Sequence, residues 1–372
     1  MTQIILNASN RLRRSPTFER VRAAGAKAYS VYNKTLIGQW FGTMEEDYAH
    51  LKSAVQVWDV GGERVVEVAG PDAQRLIQMT TPRDLSVLTD DQCAYIPMVD
   101  PQGGMLNDPV LTRLADDRYW LALADSDMLL YLKGLAAGLK LDTRVFEPDV
   151  WILAVQGPSA DELIAKVFGE AATRTRFFRY TMVELGGKWM VLARSGWSVQ
   201  GGFELYVDGS DHAGPIWDRL MEAGRGLDVR AGCPNLIERI EGGLLSYGND
   251  MSVEHTPFEA GLGRSCTIDR DTGCLGHAAL VAAREPQRQI RPVEIAGAKV
   301  PVVAALWPLT APDGQPAGTV SSAAWSPEQQ TNVAIAMVGR AYWTPGTELA
   351  VQAPDGERPV LVKDRFWGRK SA

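Results

Sequence analysis

Cysteine and histidine are scarce in this chain of 372 residues, with four of each. Cys93, Cys233, Cys266 and Cys274 form no close metal-ligand pairs, and so few thiols over such a length read as free thiols in a reducing compartment. His50, His212, His255 and His277 are scattered, which gives little support to a histidine metal centre or a Ser-His-Asp triad; no metal is expected. Long hydrophobic runs are missing too. No stretch approaches the ~18 apolar residues of a membrane span, and Met1 to Leu6 is too short for a signal sequence, so a cytoplasmic protein without a membrane partner is expected. Net charge is −7 with no basic stripe, which argues against nucleic acid. What remains is an ordinary globular composition, 45% hydrophobic and 22% charged, long enough for two or three domains.

Two glycine-rich hairpins carry the chemical signal. In the first, Gly196, Gly201 and Gly202 permit positive φ, and Phe203, Leu205 and Val207 alternate with Glu204 and Tyr206 as in a half-buried strand. Glu204 and Tyr206 then share one face beside Trp197, where a carboxylate is suited to a planar heterocycle with adjacent N–H donors. An exposed hairpin with a solvated glutamate is the plainer alternative. In the second hairpin, Asp100-Pro101-Gln102-Gly103-Gly104 is the turn and Met105 to Val110 the return strand. Pro109 removes a ladder donor, placing Asp108 at an edge or bulge where side chains are aimed into clefts, or else leaving it to accept local backbone bonds.

Periodicity organises the rest. Helices are expected at 44–52, 71–79 and 126–138, with strands at 93–99, 105–114 and 118–124. A similar run follows: a strand at 151–157, a helix at 159–168, strands at 178–185, 188–194 and 202–208, and a helix at 212–224. Two related α/β units, of α+β rather than doubly wound character, are the simplest account. From 286 onward, short strands separated by Pro and Gly suggest a β-barrel or jelly roll.

Taken in order, the blocks Gly103-Gly104 with Asn107-Asp108, Ser195-Gly196-Trp197 with Gly202-Phe203-Glu204, Arg239-Ile240-Glu241 with Tyr247-Gly248-Asn249-Asp250, and Pro257 to Leu262 resemble the glycine-cleavage T-protein family of folate-dependent transferases. The resemblance spans nearly the whole chain. It implies a three-lobed clover-leaf: two ferredoxin-like α/β units and a C-terminal barrel around a central folate channel. The expected lobes are 1–50 with 148–285, then 51–147, then 286–372. Departures from the aminomethyltransferases are marked. Where those carry Asp-Val-Ser-His-Met-Gly, this chain has Asp59-Val60-Gly61-Gly62-Glu63-Arg64; their Lys-x-x-Phe-Ile-Gly loop is degraded to Thr272-Gly273-Cys274-Leu275-Gly276. Arg13-Arg14-Ser15-Pro16, Asn107-Asp108-Pro109-Val110 and Gly232-Cys233-Pro234-Asn235 are more similar to the branch that demethylates dimethylsulfoniopropionate.

The resemblance therefore implies transfer of a sulfonium methyl to N5 of tetrahydrofolate, with the sulfonium compound and the folate as small-molecule partners; it also admits a homodimer. Asp108 is the implied catalytic residue near N5. Tyr95, Asp108, Trp197, Glu204, Tyr206 and Arg239 are the implied folate contacts, although a structural ion pair competes for Arg239. For the sulfonium, aromatic faces without a nearby anion are expected from Trp197, Tyr206, Tyr32, Phe18, Phe177 and Phe178; the last four fit a plain core equally well. An aminomethyltransferase, a demethylase of another methyl donor and a non-catalytic folate-binding protein remain alternatives.

Overall fold

Alternation along Gly202–Asp208 sets the architecture. In the computed structural model, which describes residues 9–368, this strand lies inside a six-stranded sheet ordered Tyr180–Leu185, Lys188–Ala193, Gly202–Asp208, Val150–Gln156, Val55–Asp59, Val229–Gly232. Phe203, Leu205 and Val207 point to one face, where helices Ala160–Phe168 and Ser210–Ala223 bury Leu163, Ile164, Trp217 and Leu220 against them. On the other face Tyr206, Trp58, Ile152 and Ala154 meet Val65, Cys93, Trp120 and Ala122 of a second sheet. A two-residue period thus puts one apolar layer on helices and another on a facing sheet.

The second sheet is antiparallel, ordered Arg144–Phe146, Val65–Ala69, Arg118–Ala122, Val110–Ala115, Cys93–Tyr95, with helices Ala73–Gln78 and Met128–Leu139 on its far side. Val55–Asp59 belongs to the first sheet, its Val57 opposite Val155. The chain therefore crosses between sheets after residue 59, not after residue 50 as expected, because the run after Lys52 is a buried strand of the first unit. Val55–Asp59 pairs with Val150–Gln156, almost a hundred residues further on, and with Val229–Gly232, still more distant, a partner choice that local periodicity does not encode.

The C-terminal strands, from Arg288–Ile295 to Gly356–Val362, close into a six-stranded barrel rather than a two-sheet jelly roll. Closure removes exposed edges. The barrel docks through Ile335 and Met337 onto Ile237 and Ile240 of helix Leu236–Gly242, whose first turn is capped by Asn235. Local signals were largely realised. Helix Met44–Ser53 opens with a reciprocal capping box between Thr43 and Glu46. The expected strands at 93–99 and 105–114 are each interrupted, at Pro97 and at Asp108-Pro109. Among the described residues, no helix is long and apolar enough to cross a membrane.

Candidate active site

Where the three lobes meet they leave a cavity of about 1860 Å³. Asp108 enters it from the interrupted strand. The buried Asn107 amide fixes that break: its Nδ2 donates to Ala124 O at 3.0 Å and Ser126 Oγ at 2.7 Å, while its Oδ1 accepts from the Asp108 and Ala124 N–H groups. The Asp108 carboxyl is thereby turned inward. Tyr95 donates to its Oδ2 at 2.6 Å, and Oδ1 is buried without a hydrogen-bond partner. Burial pushes this carboxyl up to about 7, against the opposing pull of Tyr95 and the backbone.

Glu204 enters from the other sheet. Its cross-strand neighbours are Ala154 and Ala193, small side chains that leave space above the carboxyl. Ser195 donates to Oε2, and burial, only partly countered by that bond, raises the carboxyl above its ordinary range. The hairpin carrying Ser195 packs tightly because of its glycines: a Cβ on Gly196 would sit 2.1 Å from Gln156 Nε2, and one on Gly202 2.1 Å from Val155 O. Gln156 fills that space, donating to Ser195 O and Phe203 O. Close backbone approach here is to the protein itself. Trp197 at the tip lines the cavity with the Arg239 guanidinium 5.7 Å from its ring centroid.

Tyr32, Tyr95, Asp108, Phe178, Trp197, Glu204 and Arg239 all line this one cavity. Two expected members do not. Tyr206 is wholly buried in the inter-sheet core, stacked on Trp120 with centroids 5.8 Å apart and planes 18° apart. It shares a face with Glu204, as its spacing required, but two residues along the strand that face is already roofed by the second sheet. Phe18 is a core residue, 5.4 Å from Tyr29 and beneath the Arg14 guanidinium. Phe177 stands at the cavity mouth, 73% exposed.

Arg239 is held in a buried ion pair at 2.8 Å, but with Asp250 rather than with the flanking Glu238 and Glu241. Its other nitrogen donates to Ser322 of the barrel at 2.6 Å. Glu238 instead accepts from Val199 N, and Glu241 from Tyr48 and Ser326. The guanidinium thus braces Trp197 and ties hairpin, helix and barrel together. The degraded 272–277 loop is a packing element: Leu275 N donates to Met79 O, and Gly276 lies against Asp100 O of the second hairpin. Ser15 of the N-terminal motif donates to buried Asp59.

Sequence reasoning gave no role to Glu63, which also lines the cavity. Burial first, then Glu204, then Asp108 raise it well above the carboxylate range, so two further acids act on Glu63 within this space. The expected sulfonium pocket without a nearby anion thus stands beside three acids, Glu63, Asp108 and Glu204, lining the same cavity. The available signal was the departure at 61–64, where two glycines replace bulk and an acid, Glu63, follows them.

This cavity, framed by two sheets and a closing barrel, defines a class. The chain matches the GCVT N-terminal domain over residues 17–270 and the glycine cleavage T-protein C-terminal barrel domain over residues 288–366, and it belongs to that family. It is 53% identical over 361 residues to the dimethylsulfoniopropionate demethylase of Ruegeria pomeroyi, covering 96% of this chain and 98% of that relative. It is 27% identical over 346 residues to an aminomethyltransferase of Desulfitobacterium hafniense, covering 91% and 93%. The crystal structure of aminomethyltransferase T from Bartonella henselae has the same fold, with a TM-score of 0.84 at 22% identity over 96% of this chain and 98% of that one.

Proposed function

We propose that the chain is a tetrahydrofolate-dependent dimethylsulfoniopropionate demethylase, which yields 5-methyltetrahydrofolate and 3-(methylthio)propionate without redox change. The observation that carries this reading is that Asp108 and Glu204 enter one cavity from two different sheets, in a chain 53% identical to a relative bearing that name.

Glu204 accepts the paired N–H donors of the pterin edge, with Ser195 holding its orientation. Tyr95 and Trp197 wall the ring, while Tyr32, Phe178 and Trp197 offer faces to the sulfonium. The N5 lone pair forms the C–N bond as the C–S bond breaks, and its electrons stay on sulfur, which leaves as a neutral thioether. No acid is needed for departure, so positioning and desolvation supply most of the acceleration. The N5 proton becomes acidic as the methyl arrives. Asp108 takes it on the unpartnered Oδ1 while Tyr95 keeps Oδ2 fixed. A cytoplasmic address accords with four free cysteines, and a homodimer with the family resemblance.

Incubating purified protein with tetrahydrofolate and individual donors tests this by absorbance and mass. Methyl product with the sulfonium alone is expected. A 5,10-methylene product would turn the assignment to aminomethyl transfer, and no product with any donor would leave a folate-binding protein without turnover.

A further inference from the structure

Glu63 sits on the short turn that carries the chain from the first sheet to the second, and the structure holds that turn from three sides. Glu63 N donates to Val60 O at 2.9 Å, and Leu123 N to Arg64 O at 3.0 Å. The buried Asn33 amide donates to Gly62 O, Leu123 O and Ala124 O, joining the turn to the hairpin that bears Tyr32. Gly62 lies so close to that hairpin that a Cβ would stand 2.4 Å from Ile37 Cδ1. So braced a turn carries a side chain for which no hydrogen bond or ion pair is recorded among the described residues, and that side chain lines the cavity.

The charged groups acting on it are Glu204 and Asp108, with no lysine or arginine among them, and Glu63 in turn acts on the Tyr32 hydroxyl, which also lines the cavity. Ser195 holds one oxygen of Glu204 and Tyr95 one oxygen of Asp108, whereas neither Glu63 oxygen is held by a protein donor among the described residues. Asp108 Oδ1 is a further buried polar atom without a partner on the same cavity wall. Acids gathered without a compensating cation call for a positively charged occupant.

We infer that Glu63 is the counter-ion of the substrate's sulfonium, a specificity-determining residue that selects a cationic methyl donor over a neutral one. The inference rests on the demethylase reading above. During transfer the positive charge moves from sulfur to N5. A carboxylate flanked by both Glu204 and Asp108 stays near that charge throughout, so its removal acts on substrate affinity more than on turnover.

The test compares binding of dimethylsulfoniopropionate with binding of its neutral thioether product, in the parent, Glu63→Gln and Glu63→Asp proteins, each with tetrahydrofolate titrated separately. The parent prefers the sulfonium. Glu63→Gln loses at least about tenfold of that preference with folate affinity retained, and Glu63→Asp keeps most of it. An unchanged preference in Glu63→Gln, or folate affinity lost in parallel, overturns the assignment. If the parent itself neither binds nor demethylates the sulfonium, the demethylase reading fails instead.

Discussion

Asp108 and Glu204 are both buried acids, yet their surroundings prepare them for different work. Asp108 keeps one oxygen without a partner and is pushed up to about 7, as suits a group that takes a proton near neutrality. Glu204 has Ser195 on one oxygen and alanines beside it, which suits the pterin-recognition role proposed for it. Asp108→Ala should lower kcat by tens to hundreds of fold, about 1.5–3 kcal/mol, in single-turnover measurements. Only ionised Asp108 accepts the proton, so the parent rate should rise as pH passes through about 7, and Asp108→Asn should be slow and lack that limb. Glu204→Gln turns an acceptor into a donor against pterin N–H groups, and folate affinity should fall more than tenfold, about 1.5–3 kcal/mol by calorimetry.

Elements decide which of two neighbouring residues reaches the cavity. Glu204 and Tyr206 project from the same face of Gly202–Asp208, but the second sheet covers Tyr206 and Trp120 stacks on it. Tyr206→Phe should therefore leave folate affinity within about twofold, whereas Tyr206→Ala should destabilise the fold by about 3–5 kcal/mol in urea unfolding. A pterin stacked on Tyr206 would give the reverse pattern. Strand alternation predicted the face and the Pro109 signal predicted the break at Asp108, since both depend on residues within a few positions. How far along the strand the roof extends depends on Trp120, more than eighty residues away in sequence.

The cavity's charge shapes the stability of the whole molecule. Asp108, Glu204 and Glu63 all have folded-state affinities for protons raised by burial. Between an ordinary carboxyl value and the folded one, the folded state binds more protons than the unfolded chain, so their contribution is full at low pH and is lost as pH rises. For Asp108 that window closes at about 7. The ligand-free protein should show a Tm that declines across this range relative to Asp108→Asn, with the difference shrinking towards acid pH. The Arg239–Asp250 pair works at the same scale, joining Trp197's support to the barrel through Ser322. Asp250→Ala strands a buried cation and should cost about 3–5 kcal/mol in urea unfolding.

From the sequence alone came the α/β units and the terminal barrel, the two glycine hairpins, and Asp108 and Glu204 as the acids of interest, because periodicity, proline and glycine act through the local backbone. The family blocks added the central channel. Tertiary structure alone decided that Val55–Asp59 joins the first sheet, that Tyr206 and Phe18 are core, that Arg239 answers to Asp250, and that Glu63 completes the acidic wall. Each of these is a matter of which distant segment covers or faces a residue, and burial and charge partners arise only when the chain has closed on itself.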